Sequence, residues 1–391
     1  MVTDKDKCIS CGVCMLNCPK KAITIKQDDF GNEYPEIDND KCIDCGICKK
    51  NCYINKFKKN DDDYVQKFFA AVTKNNDILC NSSSGGIFST LAIGILNNGG
   101  YVCGCSLYYD NKKINIKHIL IDNPKDINKL QGSKYVQSNI IEVLPLIKEK
   151  LNDGKTVLFS GTPCQVAALK SYLKKDYDHL YTIDIVCHGA PNQKIFLDYI
   201  KYVEDKYNAK ITNVVFRDKK YGWAVFGSLS GYYLKNHKAF QKSFSPYESS
   251  YYYFFKNGYM YRPNCYKCQF ACLNRPGDLT IGDYWGIEQY HQSFYNKKGN
   301  SCLIINTLKG ENLIKSRKDD FNFIETRSEY ILKDNSQLRH PTPEPLENYK
   351  IMQEYSLKGY KTVEKNFLKI YGKINVFKRK LKNVIKKFLK K

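Results

Sequence analysis

The order of apolar and polar positions predicts a small N-terminal unit followed by a larger mixed one. Ala22-Ile23-Thr24-Ile25 and Tyr34-Pro35-Glu36-Ile37 flank Asp29-Phe30-Gly31-Asn32, the pattern of a β-hairpin. The polar run Lys58-Lys59-Asn60-Asp61-Asp62-Asp63 reads as a linker. Phe68-Phe69-Ala70-Ala71-Val72 then reads as a strand, and Ser82-Ser83-Ser84-Gly85-Gly86 opens a helix that stops at Gly99-Gly100. Strands are expected over 101–107 and 114–121, a helix start at Asn123-Pro124, and a helix over 138–152 closed by Gly154. The pattern next becomes strand, helix, strand: strands at 156–160, 181–186 and 211–216, helices at 164–173 and 191–207. Further strands follow at 278–281 and 302–307. Such alternation argues for a parallel or mixed sheet covered by helices.

At the far end, Ile374, Phe377, Leu381, Val384, Ile385 and Phe388 recur at three- and four-residue intervals. Residues 367–391 hold ten Lys or Arg and no acidic residue. This predicts a basic amphipathic helix that binds an anionic membrane surface or a partner, or that caps the main domain. The chain thus divides at 1–57, 64–345 and a basic helical tail over 346–391. The aromatic run Tyr251-Tyr252-Tyr253-Phe254-Phe255 is expected to be core packing, not a stacking platform for single strands.

Composition narrows the picture. The 391 residues are 42% hydrophobic, which excludes a disordered chain and suits two or three domains. The longest apolar stretch, near 87–96, falls short of the roughly 20 residues a membrane span needs. With no apolar signal segment at the N-terminus, the 17 cysteines are expected in a reducing cytoplasm, where metal ligation outranks disulfides. The basic tail adds an expected peripheral contact at the inner membrane face. Formal charge is +22, which suits acidic partners, such as a reduced ferredoxin or flavodoxin, and anionic lipid.

The strongest chemical signal is a repeat. Cys8, Cys11, Cys14 and Cys18 precede Pro19, and Cys42, Cys45, Cys48 and Cys52 recur with the same spacing 34 residues later. This is the C-x2-C-x2-C-x3-C run of two-cluster bacterial ferredoxins, where each fourth cysteine serves the other cluster. Cys8, Cys11, Cys14 and Cys52 are therefore expected on one [4Fe–4S] cluster, and Cys18, Cys42, Cys45 and Cys48 on the other. Gly12 and Gly46 fall inside the loops, where a missing Cβ lets backbone N–H groups approach sulfide. Zinc sites instead pair C-x2-C knuckles across a wide gap. One departure stands out: Tyr53 occupies the place of Pro19.

Five more cysteines suggest a further site. In Gly161-Thr162-Pro163-Cys164-Gln165, a capping box puts Cys164 at a helix N-terminus, and Cys187 ends the next strand. Both are then expected at the carboxyl edge of one sheet, where ligands of open α/β folds gather. Cys265, Cys268 and Cys272 follow in a polar loop. A third cluster needs four of these five, and the residues alone do not choose among them. Ser84-Gly85-Gly86, opening a helix, offers backbone N–H groups to a pyrophosphate, although a simple capped turn explains it as well. His188 is expected to be structural.

Several motifs occur in order: Ser83-Ser84-Gly85-Gly86-Ile87-Phe88, Gly132-Ser133-Lys134-Tyr135-Val136-Gln137-Ser138, Gly161-Thr162-Pro163-Cys164-Gln165 and Cys187-His188-Gly189. After them come Cys265-x2-Cys268 and Asp278-Leu279-Thr280-Ile281-Gly282-Asp283-Tyr284-Trp285-Gly286. Together they resemble the family of coenzyme F-420 hydrogenase/dehydrogenase beta subunits, in a bacterial branch carrying an N-terminal two-cluster ferredoxin. The resemblance implies an α+β protein in which a ferredoxin-like module precedes a mixed α/β domain holding FAD and its own [4Fe–4S] cluster. It implies Cys164, Cys187, Cys265 and Cys268 as that cluster's ligands, with Cys272 spare. It implies flavin contacts at Ser84, Gly85, Gly86, Ser133, Lys134 and Tyr135, with Lys134 supplying positive charge.

The expectation is a flavin-dependent iron–sulfur oxidoreductase with three [4Fe–4S] clusters and FAD, and the resemblance suggests a link to polysaccharide biosynthesis. A flavin-free electron carrier serving a partner enzyme is the alternative. A zinc-stabilised nucleic-acid binder is the reading of a third class, and no nucleic-acid partner is expected.

Overall fold

The computed structural model describes residues 2–56, 64–223 and 225–369. The linker read at 58–63 and the amphipathic positions 374–388 lie outside those residues.

In the N-terminal module, α1 (Val13–Leu16), α2 (Ile47–Lys50) and α3 (Tyr53–Lys56) surround the expected hairpin. Its strands β1 (Ile23–Gln27) and β2 (Glu33–Ile37) pair antiparallel, with Ile23 opposite Ile37. Gly12 and Gly46 begin α1 and α2 at φ 72° and 68°, left-handed backbone that favours glycine.

The second domain begins with β3 (Lys67–Thr73), α4 (Asn76–Asn81), α5 (Ile87–Asn97), β4 (Tyr101–Asp110) and β5 (Lys113–Ile121). Next come α6 (Val143–Asn152), β6 (Val157–Gly161), α7 (Pro163–Leu173), β7 (Leu180–Ile185) and α8 (Gln193–Tyr207). A three-stranded antiparallel sheet follows, of β8 (Ala209–Val215), β9 (Gly227–Tyr233) and β10 (Ala239–Phe244). The chain continues through α9 (Ser250–Lys256), α10 (Pro263–Tyr266), β11 (Leu279–Asp283), β12 (Ser301–Ile305), α11 (Leu308–Lys315) and β13 (Phe321–Glu325). It closes with α12 (Ser328–Asp334), α13 (Asn348–Lys358) and α14 (Tyr360–Phe367).

The large sheet runs β13-β3-β12-β11-β7-β6-β4-β5. Strands β4, β6, β7 and β11 are parallel, and β3 shares their direction because both β3 and β11 oppose β12. Helices α5 and α11 cover one face, packing Ile87, Leu91 and Leu313 on Leu158, Ile183 and Leu303. Helices α6 and α7 cover the other through Leu144, Val166 and Leu169 against Val157 and Phe159. Ile9, Val13 and Tyr53 of the N-terminal module join this second core. The module is therefore docked, not strung on a linker. Asn192 Nδ2 donates to Phe30 O (2.9 Å), Gln137 Nε2 to Ile9 O (2.9 Å), and Ser171 Oγ to Asn51 O (2.7 Å).

Three readings change. Helix α6 starts at Val143, not at 138, because Ser138 Oγ bonds His118 Nδ1 (2.9 Å) and Gln165 donates to Ser138 O (3.0 Å). Those bonds commit the backbone to the sheet edge, where His118 N–H donates to Asn139 O. Of the antiparallel sheet β8–β10, the sequence pattern predicts only the first strand. The tail boundary at 346 is also too early. Ile351, Met352, Tyr355, Tyr360, Val363 and Phe367 of α13 and α14 share a core with the small sheet and with Tyr251, Tyr252 and Phe254. Burial of the aromatic run accords with core packing.

Arg275 and Asp184 are fully enclosed, with side chains 1% and 0% exposed. Arg275 donates to Asp184 Oδ1 from Nε (2.9 Å) and Nη2 (2.7 Å), and Gly277 N–H donates to Oδ2 (2.8 Å). Removing the acid strands a buried cation. Asp184→Ala is expected to lower stability by about 3–5 kcal/mol in denaturant titration, and the double variant Asp184→Ala/Arg275→Met, which removes both charges, by less.

Candidate electron-transfer site

Cys8, Cys11, Cys14 and Cys52 line one cavity, whose remaining wall is mostly apolar: Val2, Ile9, Val13, Ile25, Pro35, Tyr53 and Ile54. The fourth cysteine of the second run thus stands with the first three of the first run. Burial pushes all four thiols up, Cys14 to about 12, and repulsion from the neighbouring thiols adds to it at Cys11, Cys14 and Cys52. Thiolates gathered in an apolar cavity need positive charge there, which the irons of a cubane supply. Backbone donors already point at sulfur, Ser10 N–H at Cys8 Sγ (3.4 Å) and Ala22 N–H at Cys18 Sγ (3.3 Å).

The other N-terminal set lies farther out. Cys18 and Cys48 pack beside the small core of Val2, Cys14 and Ile23, whereas Cys45 is exposed and neighbouring Ile43 is 57% exposed.

At the carboxyl edge of the large sheet, Cys164 begins α7 after β6 and Cys187 follows β7. Gln165 accepts from Thr162 N–H (3.0 Å), completing the cap, and Thr162 Oγ1 lies 3.1 Å from Cys164 Sγ. The Cys265–Cys268 loop meets this edge. Cys187 has Cys265, Cys164 and Cys268 as electrostatic neighbours, and its thiol is raised by burial first and by them second. Burial likewise raises Cys164, Cys265 and Cys268 to about 11. Cys272 sits at the margin, where its thiol donates to Gln269 O and Asn274 O at 3.5 Å. Among the described residues no three His, Cys, Asp or Glu converge on a point as they would around one ion. Cubane ligands each take a different iron, so their sulfurs stand apart.

Tyr53 lies between the two buried cysteine sets. Its neighbours include Cys52 and Cys11 on one side and Cys164 and Cys268 on the other. Its ring, 5% exposed, stacks on Phe270 with centroids 5.8 Å apart. The departure from the ferredoxin pattern at Tyr53 is thus where the module meets the second domain.

The flavin candidates also collect at this carboxyl edge, after β3 and beside the start of β12. Gly85 N–H donates to Ser301 Oγ (2.9 Å), and any side chain on Gly85 would strike the backbone of Ala71. Ser84 Oγ donates to Asn300 O (2.6 Å), and Ser133 bonds Ser83 Oγ through both N–H and Oγ at 2.8 Å. Lys134 Nζ donates to Leu130 O and Gln131 O, and burial lowers its pKa to about 8. Tyr135 stacks on Phe255 at 4.3 Å.

Sequence reasoning missed Arg217 and Lys219. Arg217 pairs with Asp283 (2.7 Å) and reaches Tyr135 Oη and Ser83 O, both at 3.4 Å. Lys219 donates to Ser84 O (3.0 Å). The chain's two tryptophans, Trp223 and Trp285, stack beside them at 4.8 Å. The run Arg217-Asp218-Lys219-Lys220 just past a strand was the available signal. Three cationic groups, Lys134, Arg217 and Lys219, thus stand around the Ser/Gly turn, and each is already bonded within the protein.

The model for the N-terminal part of the "Coenzyme F420 hydrogenase/dehydrogenase, beta subunit" matches residues 68–145, and the model for its C-terminal part matches 154–329. The chain belongs to this family of beta subunits. The "4Fe-4S dicluster domain" model matches residues 7–55, so the family domain here carries an iron–sulfur module ahead of it. One component of the F(420)H(2) dehydrogenase of Methanosarcina mazei is 24% identical over 208 residues, 51% of this chain and 58% of that protein. The chain thus spans less than two thirds of that relative's length. A chain of the xenon-derivatised F420-reducing [NiFe] hydrogenase complex from Methanosarcina barkeri aligns at 18% identity and TM-score 0.40. The alignment covers 78% of this chain and 94% of that one.

Iron and acid-labile sulfide analysis of protein purified without oxygen tests the ligand sets. Cys265→Ser is expected to lose about four of about 12 irons, whereas Cys272→Ser loses none.

Proposed function

We propose that this protein is a flavin-dependent iron–sulfur oxidoreductase that passes electrons between a low-potential carrier and a two-electron substrate. When bound, iron–sulfur clusters supply one-electron exchange and FAD supplies two-electron exchange. The observation that carries the reading is the Tyr53–Phe270 contact, which brings the Cys8–Cys52 set against the Cys164–Cys268 set in one apolar core.

Each group of residues has a task in this reading. Cys8, Cys11, Cys14 and Cys52 hold the inner N-terminal cluster, and Cys18, Cys42, Cys45 and Cys48 hold the outer one. Cys164, Cys187, Cys265 and Cys268 hold a third. Exposure of Cys45 and Ile43 makes the outer set the entry for a ferredoxin- or flavodoxin-like donor. Leu144, Val166 and Phe270 keep water from the inner sets. Ser84, Gly85, Gly86, Ser133, Lys134 and Tyr135, with Arg217 and Lys219, would hold FAD, the three cations supplying the positive charge that its phosphates need. A link to polysaccharide biosynthesis rests on family resemblance alone.

A second reading, an electron carrier without flavin, is favoured by one observation. The Gly85 N–H and the Ser84 and Ser133 hydroxyls already have partners within the protein. Flavin content of the anaerobic protein separates the two.

Cys268→Ser is expected to retain flavin and the two N-terminal clusters, while stopped-flow reduction of the flavin by a low-potential donor slows many-fold. Normal flavin bleaching in Cys268→Ser would remove the third cluster from the path.

A further inference from the structure

Arg262 reaches from the Cys265 loop into the N-terminal module with a buried charge. Its side chain is enclosed, the residue being 2% exposed. Nη1 donates to Ile9 O (2.7 Å), and Nη2 to Ser10 Oγ (2.6 Å), Cys8 O (3.2 Å) and Glu33 O (3.3 Å). All four acceptors are neutral. Its Nε–H is buried and has no hydrogen-bond partner among the described residues.

The contrast with Arg275 defines the anomaly. Arg275 is as deeply buried, but Asp184 neutralises it and Nε is spent on that carboxylate. A buried cation held only by neutral oxygens is expensive unless anions lie close by. Arg262 is tied to both ligand sets, its Nη2 donating to Cys8 O (3.2 Å) on one side and its carbonyl accepting from Cys265 N–H (2.9 Å) on the other. A [4Fe–4S] cluster with four thiolates carries about −2 when oxidised. Two such anions would supply the missing countercharge, and the spare Nε–H is a donor left for sulfur.

We propose that Arg262 is a shared potential-setting residue, its guanidinium serving both the Cys8–Cys52 cluster and the Cys164–Cys268 cluster. A fixed positive charge stabilises the more negative reduced state, so it raises the reduction potential of each cluster it faces. Arg262's hydrogen bonds go to Cys8, Ile9, Ser10 and Glu33 and none to Cys18, Cys42, Cys45 or Cys48, so the outer cluster is the one expected to feel it least. Arg262 therefore raises the two inner clusters relative to the outer one, a shift that favours electrons running inward from the exposed loop. The inference rests on the third-cluster reading.

The test is an EPR-monitored redox titration of full-length, anaerobically purified protein, with iron and sulfide measured on the same samples. Wild type is expected to give three one-electron waves. In Arg262→Gln two waves are expected to fall and one to stay. The shift is at least tenfold in the reduced-to-oxidised ratio at fixed potential, about 59 mV for one electron. Arg262→Lys keeps the charge but loses the fork and Nε–H, so the same two waves are expected to fall by less. A fully loaded Arg262→Gln with no wave moved, only one moved, or all three moved together would overturn the proposal. If Arg262→Gln fails to load iron, Arg262→Met, which also removes the charge, is titrated in its place, the same two waves falling for the proposal and none falling against it. Two waves with about eight irons in wild type would end the third-cluster reading itself, and the sharing with it.

Discussion

The loop that carries Cys265 and Cys268 is fixed by a buried arginine at each end, and the arrangement of the site depends on that pair. Arg275 pins the far end to β7 through Asp184 and through Ile185 O (2.9 Å). Arg262 pins the near end to the N-terminal module through Cys8, Ile9 and Ser10. Between them the loop can neither lift from the sheet edge nor let the module drift. A short polar segment with little core of its own, helical only over the four residues of α10, thereby gains the rigidity that electron transfer between fixed centres demands.

The large sheet sets the second constraint. Five strands running in one direction deliver their carboxyl ends to a single edge. The turns after β3, β6 and β7 then place the Ser/Gly turn, Cys164 and Cys187 along one rim. Antiparallel β12 contributes from its other end, so Asn300 and Ser301 meet the Ser84–Gly85 turn. Sites distant in sequence become neighbours through strand direction alone.

Much of this was legible in the chain because it is local chemistry. The cysteine repeat, the glycines in its loops, the hairpin and the Thr162–Gln165 cap each depend on residues only a few positions apart. What stayed hidden depends on partners far away. Nothing near Arg262 distinguishes it from any arginine before a proline, since its acceptors lie some 250 positions earlier. Tyr53 could be seen as a departure but not as a contact, because Phe270 comes from another domain. The start of α6 was misplaced for the same reason: Ser138 is held by His118 and Gln165, each more than a dozen residues distant. The Arg217–Asp283 pair joins a strand end of the small sheet to one of the large sheet, a relation that periodicity does not encode.

Docking of the N-terminal module also bears on how the protein acquires its iron. The Cys8–Cys14 loop packs its Ile9 and Val13 into a core shared with the second domain, and Gly12 faces Ile141 so closely that a side chain there would collide. The Cys42–Cys48 loop stays at the surface, with nothing within reach of Gly46 among the described residues. An assembly factor meets these two loops under different conditions. With the ligand sets proposed above, the inner loop would have to be filled while the halves are still apart, whereas the outer one would stay open to filling, and to repair after oxidative loss, in the finished molecule.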